Sequence, residues 1–157
     1  MISGVIAGLA MMQASAPAAD LELVFWRGRD AYRISGASVE ALVVPSLGGR
    51  IMELRLKKGE NCLFAPAKPD TMGGWANHGG DKTWFAPQSL WSWPPDPWLE
   101  QMPHEVAAFG NGSITLQSPV SEAWGLQITR KITVHPTEAK VSLTTTLTNK
   151  WQRTIRV

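Results

Sequence analysis

The sequence predicts an all-β protein built as an antiparallel β-sandwich. Apolar and polar residues alternate with a period of two along several short segments, which is the pattern of strands with one buried face. Clusters of Gly, Pro and Asn separate these segments, and no stretch keeps a helical period. Meandering strands of this kind pack as two sheets. The length of 157 residues fits one domain.

Eight segments are predicted as the main strands: 21–26, 31–34, 38–44, 50–57, 105–109, 113–118, 124–134 and 138–148. The third of these ends at Pro45, which cannot donate a ladder hydrogen bond. The alternation in 50–57 predicts that Met52, Leu54 and Leu56 share one face. Gly110-Asn111-Gly112 predicts a hairpin turn between two strands.

Composition and charge exclude several kinds of site. The net charge is +2 without a basic run, so we expect no nucleic-acid partner. A single cysteine, Cys62, rules out an intrachain disulfide and a cysteine-based zinc site. We expect it to be an inert thiol in a buried strand at 62–64. The three histidines lack metal-ligand spacing, and no dinucleotide or phosphate-loop fingerprint occurs, so we expect no metal and no cofactor.

The N-terminus predicts an export signal over residues 1–19, followed by a mature domain over 20–157. An apolar run at 2–12 precedes small residues that offer cleavage options at 14–16 and 18–19. The run carries no Lys or Arg before it, and the alternative is a disordered or core-packing segment. The run is too short to span a bilayer, and no later segment is suited to do so. We therefore expect a periplasmic or secreted protein.

A tryptophan-rich segment, 75–98, is the most distinctive part of the chain. It holds five of the eight tryptophans together with Gly79-Gly80 and a proline run at 94–97. Indole rings on a rigid polar loop suit a ligand with apolar faces and hydroxyl edges, such as a sugar or glycan. The alternative is that these rings cover the end of the β-sheet core, where most aromatic residues lie.

Polar residues around this segment are candidates for ligand contact. His78 is the only histidine inside it, and it is a candidate contact or acid–base group. Asp81 and Lys82 point to opposite faces if the chain is extended there. Arg50, after Gly48-Gly49, has a guanidinium fork that suits hydroxyls or carboxylates, although a structural carboxylate is an equal alternative.

Two sequence motifs resemble a known family. Residues 45–55, Pro-Ser-Leu-Gly-Gly-Arg-Ile-Met-Glu-Leu-Arg, and 60–64, Glu-Asn-Cys-Leu-Phe, are similar to the N-terminal part of galactose mutarotase-like (aldose 1-epimerase-like) domains. Residues 79–88, Gly-Gly-Asp-Lys-Thr-Trp-Phe-Ala-Pro-Gln, with Trp-Pro-Pro-Asp-Pro at 93–97, resemble more narrowly the DUF4380 group of that superfamily. The resemblance covers residues 38–157.

The resemblance implies a large antiparallel supersandwich, about twice this length, of which this chain is the N-terminal half. The alternative for the C-terminus is a short final strand at 154–157. In catalytic mutarotases a His acid and a Glu base come from the later part of the fold, so no catalytic residue is assigned here. An aldose 1-epimerase-like isomerase activity would need a complementary C-terminal half as partner.

Three functions follow as alternatives: a mutarotase-like domain inactive on its own, a non-catalytic carbohydrate-binding module, or a nonfunctional fragment. The resemblance also implies a ligand-facing role for Asp81, Lys82, Trp84 and Gln88 in the tryptophan-rich loop, and residue chemistry adds the remaining candidates. The full set of candidate substrate-binding residues is Arg50, His78, Asp81, Lys82, Trp84, Gln88, Trp91 and Trp93.

Overall fold

The computed structural model describes residues 17–152 and residue 154. Ten strands occur in this part of the chain, with a 3-10 turn at Gln88–Leu90 and one helical turn, α1, at Pro97–Glu100. The strands are β1 Asp20–Trp26, β2 Arg29–Ser35, β3 Val39–Val44, β4 Arg50–Leu56, β5 Asp70–Met72, β6 Trp75–Asn77, β7 Glu105–Gly110, β8 Ser113–Gln117, β9 Leu126–Val134 and β10 Val141–Asn149.

Two four-stranded antiparallel sheets form the body of the protein. Their orders are β1-β2-β3-β4 and β10-β9-β8-β7, so each sheet is a simple meander, and β5 and β6 form a separate small hairpin. One cluster of buried side chains joins the two sheets, since it contains Ile34 and Val43 from the first and Ile114 and Ile132 from the second. The predicted all-β fold with antiparallel sheets packed as a sandwich is confirmed.

The predicted strands agree with the observed ones to within a few residues at each end. Strand β9 shows the expected alternation along its whole length, and Arg130 lies on its buried face. The hairpin between β7 and β8 turns at Asn111 and Gly112, whose φ angles of 49° and 71° are those of a type I′ turn. In β8 and β9 the alternating pattern matches a buried face, whereas β1, β7 and β10 contain no fully buried residue.

The predicted face of strand β4 is wrong because the strand contains a bulge. The pairing of β3 with β4 shifts register there: Leu42 is opposite Glu53, and Val43 is opposite Ile51. Met52 is therefore the extra residue of the bulge. The regular alternation of side chains between the two faces of β4 is interrupted there. Met52 packs in a different cluster from Leu54, and Leu56 is exposed.

The segment 62–64 is not a strand, and Cys62 is not buried. The thiol is exposed, and it donates to the carbonyl oxygen of Leu54 at 2.7 Å. Asn61 binds the β4 backbone through its side chain, donating to Met52 O and accepting from Leu54 N. The backbone makes one bond to β4 here, from Cys62 N to Leu54 O at 2.9 Å, and the Asn61 side chain supplies the others, so the segment lies beside β4 as a loop.

Several expectations about the chain ends lie outside the described residues. The export signal at 1–19 falls mostly there, as does most of the alternative final strand at 154–157. Among residues 17–152, no helix has the length and apolar character needed to cross a membrane.

Candidate functional site

The loop that follows β6 is held against strand β4 by two glycines with positive φ angles. Gly80 donates to Phe64 O at 2.7 Å, and the next residue, Asp81, donates to Ile51 O at 3.0 Å. A Cβ on Gly80 would lie 2.6 Å from Ile51 O, and its φ angle is 73°. Only glycine allows this close backbone approach, so the loop fixes where the next two side chains point.

Asp81 points into the protein. Its Oδ2 accepts from the guanidinium of Arg130, and its Oδ1 accepts from Ile51 N at 2.5 Å. Arg130 is 2% exposed and also donates to Gly49 O at 3.0 Å. The pair therefore joins the second sheet to the loop and to β4. Asp81 is a structural carboxylate in this arrangement.

Lys82 points the other way, as the extended geometry predicts. Its ammonium nitrogen lies 4.6 Å from the ring centroid of Trp75 and 5.0 Å from that of Trp84. It is also 3.7 Å from Oε1 of Glu100. A cation between two indole faces is attracted to both ring quadrupoles. The charge of Lys82 is thus placed among aromatic rings.

Glu100 is the centre of this arrangement. It is 1% exposed, and its two carboxylate oxygens accept from different indoles: Oε2 from Trp75 Nε1 at 2.7 Å and Oε1 from Trp84 Nε1 at 2.5 Å. Because Lys82 lies nearby, the buried carboxylate has both hydrogen-bond donors and an ion-pair partner. A buried charge without such partners would be strongly destabilising. The helical turn α1 positions it, with Asp96 as N-cap accepting from Trp98 N at 2.9 Å.

Four tryptophans contact one another through their rings and form the indole cluster: Trp75, Trp84, Trp91 and Trp93. Trp75 is its buried member, at 6% exposed. Their ring centroids lie 4.8 to 6.0 Å apart in edge-to-face contacts. Such contacts hold rings in fixed mutual orientations.

The rings of the tryptophan-rich segment differ in burial, so the alternative that they are core holds for some of them only. Trp98 is 2% exposed and belongs to a core cluster with Leu126 and Ile128. Trp84 and Trp93 are 39% and 44% exposed. The segment therefore has buried rings at both ends, Trp75 and Trp98, and exposed rings between them.

Arg50 is buried and bound entirely to backbone carbonyls. It donates to Leu47 O at 2.9 Å, to Gly79 O at 2.7 Å and to the carbonyl of Glu100. Burial lowers the pKa of this guanidinium, against the opposing effect of Glu100 and Asp81. Its guanidinium connects three backbone segments and is not accessible to a ligand. All of its hydrogen bonds go to backbone carbonyls, so it does not bind a structural carboxylate either.

His78 lies apart from the indole cluster, whereas Gln88 accepts from Trp91 N through its backbone carbonyl at 3.1 Å. His78 lines a cavity with Trp26 and Arg29 that includes no residue of the cluster. Burial, followed by the charges of Arg50 and Arg29, lowers the pKa of His78. Gln88 is exposed at the start of the 3-10 turn.

Glu100 and Arg130 are the important residues that sequence reasoning did not select. Arg130 is a charged residue on the apolar face of a strand, and this pattern indicates that the side chain has a buried partner. Glu100 carried no such signal, because its indole donors lie 25 and 16 residues away. Asp96, four residues before Glu100, caps α1.

A buried histidine lies beneath this site. His104 is 4% exposed, and neither ring nitrogen has a hydrogen-bond partner among the described residues. Burial, with Arg130 and Arg50 adding to it, lowers the pKa of His104 to about 4. The ring packs on Gly49, where a Cβ would lie 2.3 Å from Nδ1. It is therefore neutral at pH 7.

This arrangement of side chains suits ligand binding rather than acid–base catalysis. The surface presents exposed indole faces and one ammonium group, and the carboxylate of Glu100 is buried beneath them, accepting from two indole N–H groups. Residues 17–152 contain no group of three or more side chains able to hold a metal ion.

Comparison with known protein families and with curated proteins gives no match for this chain. The resemblance to mutarotase-like domains therefore stays a hypothesis, and the geometry of the indole cluster carries the functional argument.

Proposed function

We propose that this chain is a carbohydrate-associated, mutarotase-like domain that binds a sugar on the indole cluster and does not interconvert anomers by itself. The observation that carries the proposal is the exposure of Trp84 and Trp93, at 39% and 44%, on a rigid aromatic surface. Indole faces contact the C–H faces of a sugar ring, and nearby polar groups fix its orientation.

Trp93 is the ring best placed for a ligand. Its side chain makes no hydrogen bond to any residue in the described part of the chain, whereas the Trp84 N–H binds Glu100 and the Trp91 N–H binds Phe85 O at 3.0 Å. The Trp93 N–H is thus available to a sugar hydroxyl. Lys82, 25% exposed in its side chain, supplies a further donor beside it.

Anomer interconversion needs an acid and a base on opposite sides of the sugar ring. Glu100 is buried and already accepts two indole N–H bonds, and His104 is enclosed. This supports binding without turnover by this chain. The alternative is a non-catalytic carbohydrate-binding module of the periplasm, which would bind a sugar with no need of a second half.

The test is an amide and indole NMR spectrum of the chain during titration with monosaccharides and uronic acids. We expect saturable shifts of the indole N–H signals for at least one sugar, and binding weakened at least about tenfold by Trp93→Ala. The matched control is Phe25→Ala, which removes a ring that is 76% exposed and outside the cluster.

Equal weakening by both variants, or no indole response to any sugar, would refute the binding proposal. Interconversion of anomer signals in the same samples measures turnover. Acceleration by wild-type protein would show an enzyme that needs no further half. Binding without acceleration supports the proposal.

A further inference from the structure

A cavity of about 130 Å³ lies away from the indole cluster, beside the turn between β1 and β2. Liquid water occupies about 30 Å³ per molecule, so this space has room for roughly four waters or one compact anion with a water. The lining residues are Trp26, Arg27, Arg29, Leu47, Met52, Pro66, Ala67, Pro69 and His78.

The ionisable side chains that line this cavity are two guanidiniums and one imidazole. Neither arginine has a carboxylate within 4 Å among the described residues. Glu53 accepts from the indole N–H of Trp26 at 2.6 Å, but it is not among the lining residues. The charge of the lining side chains is therefore positive, and no carboxylate lines the cavity.

Arg27 is held in place for such a role. Its guanidinium donates to Pro66 O at 2.6 Å and to Ala65 O at 3.2 Å, and it lies 4.5 Å from the ring of Trp26. These contacts fix its position at the mouth of the cavity without neutralising its charge.

Arg29 has more free donors. Its one side-chain hydrogen bond within the described residues is a long one, from Nη1 to Ser46 Oγ at 3.4 Å. A guanidinium has five N–H donors in a planar fork that matches oxyanions. After burial and the charge of Arg50, the charge of Arg29 also lowers the pKa of His78.

We propose that this cavity binds a compact oxyanion, a sulfate or phosphate group, with Arg29 as its principal ligand and Arg27 and His78 as flanking donors. The group could come from a free ion or from an ester on a sugar. The site is independent of the indole cluster, and its test does not depend on sugar binding there.

The test follows the His78 ring signals by NMR while sodium sulfate is added at constant ionic strength, with sodium chloride as balance. We expect saturable shifts and a higher pKa for His78 in sulfate, because an anion beside the ring favours its charged form. Chloride alone should produce neither effect. Shifts that track ionic strength, or that never saturate, would overturn the proposal.

Arg29→Gln should weaken sulfate binding at least about tenfold, since it removes a charge-assisted pair. Arg29→Lys should weaken it less, because the charge stays while the fork is lost. Arg33→Gln is the matched control: Arg33 is the next arginine on β2 and pairs with exposed Glu22. Equal loss in Arg33→Gln and Arg29→Gln would contradict the assignment.

A parallel titration with glucose 6-phosphate separates the two sources. Tighter binding of the ester than of sulfate would identify a sugar ester as the ligand, and equal binding would identify the free ion. Failure of both to saturate would overturn the site.

Discussion

Acidification should destabilise this protein through His104, and replacing that residue should remove the effect. The ring is 4% exposed, its nitrogens have no partners among the described residues, and it lies near the charges of Arg130 and Arg50. Its pKa is about 4 in the folded protein and 6.5 when unperturbed. The unfolded chain therefore takes up a proton at a higher pH than the folded one.

The sign and size of the effect follow from this difference. Above pH 6.5 His104 is neutral in both states and contributes no pH dependence. Between pH 6.5 and 4 the unfolded state binds more protons, so the free energy of unfolding falls as pH falls. Each pH unit costs about 1.4 kcal/mol, so the whole interval costs about 3 kcal/mol.

The assay compares wild-type protein with His104→Leu by urea unfolding at several pH values from 7 to 4.5. Leucine removes the titrating group, and at pH 7 we expect stabilities within about 1 kcal/mol, since no hydrogen bond to the described residues is lost. At pH 4.5 the variant should be more stable by about 2–3 kcal/mol. Both proteins contain the same carboxylates, so the difference between their free energies of unfolding reports the effect of His104 alone.

His135→Leu is the control for this experiment. Its ring binds Ser142 Oγ at 2.9 Å near the turn between β9 and β10. Because His104 is intact in that variant, its stability should still fall with acid as in wild type. If wild type and His104→Leu lose stability in parallel from pH 6.5 to 4.5, the reasoning about His104 is refuted.

Two further predictions concern the charges beneath and within the site. Asp81→Asn leaves the buried guanidinium of Arg130 without its counter-charge, so the free energy of unfolding should fall by about 3 kcal/mol, and the melting temperature by about 10 °C. Glu100→Gln leaves one acceptor oxygen for the indole N–H groups of Trp75 and Trp84, so at least one indole signal should move upfield and stability should fall by about 2 kcal/mol.

Exposed carboxyl groups serve as controls for both changes. Asp70→Asn in β5 and Glu60→Gln in the turn after β4 alter residues that are exposed. Each should change the melting temperature by little, since surface substitutions away from buried networks have small effects. Unchanged indole signals in Glu100→Gln would contradict the hydrogen bonds assigned to Glu100, and an unchanged melting temperature in Asp81→Asn would contradict the buried pair.

The local pattern was sufficient for the main strands but not for their irregularities. Alternation in 124–134 predicted β9 because one face of that strand is buried throughout. The same reasoning failed in β4, where the bulge at Met52 depends on its pairing with β3. It also failed at Cys62, where one backbone bond to Leu54 O and the side-chain amide of Asn61 hold the chain beside β4 without forming a strand.

The candidate site, too, was predicted only in part from the sequence. The composition of 75–98 pointed to an aromatic surface, and extended geometry separated Asp81 from Lys82. No local property distinguishes Trp98, which is core, from Trp93, which is exposed. That difference depends on whether β9 packs over the ring.

The sequence by itself determined the all-β class, the positions of the strands and the concentration of indoles in one loop, because these follow from residue type and period along a single segment. Only the tertiary structure decided which side chains meet. Asp81 and Arg130 are 49 residues apart, and Trp75 and Glu100 are 25 apart. Such contacts arise when the two sheets and their loops pack, and no periodicity within either segment records them.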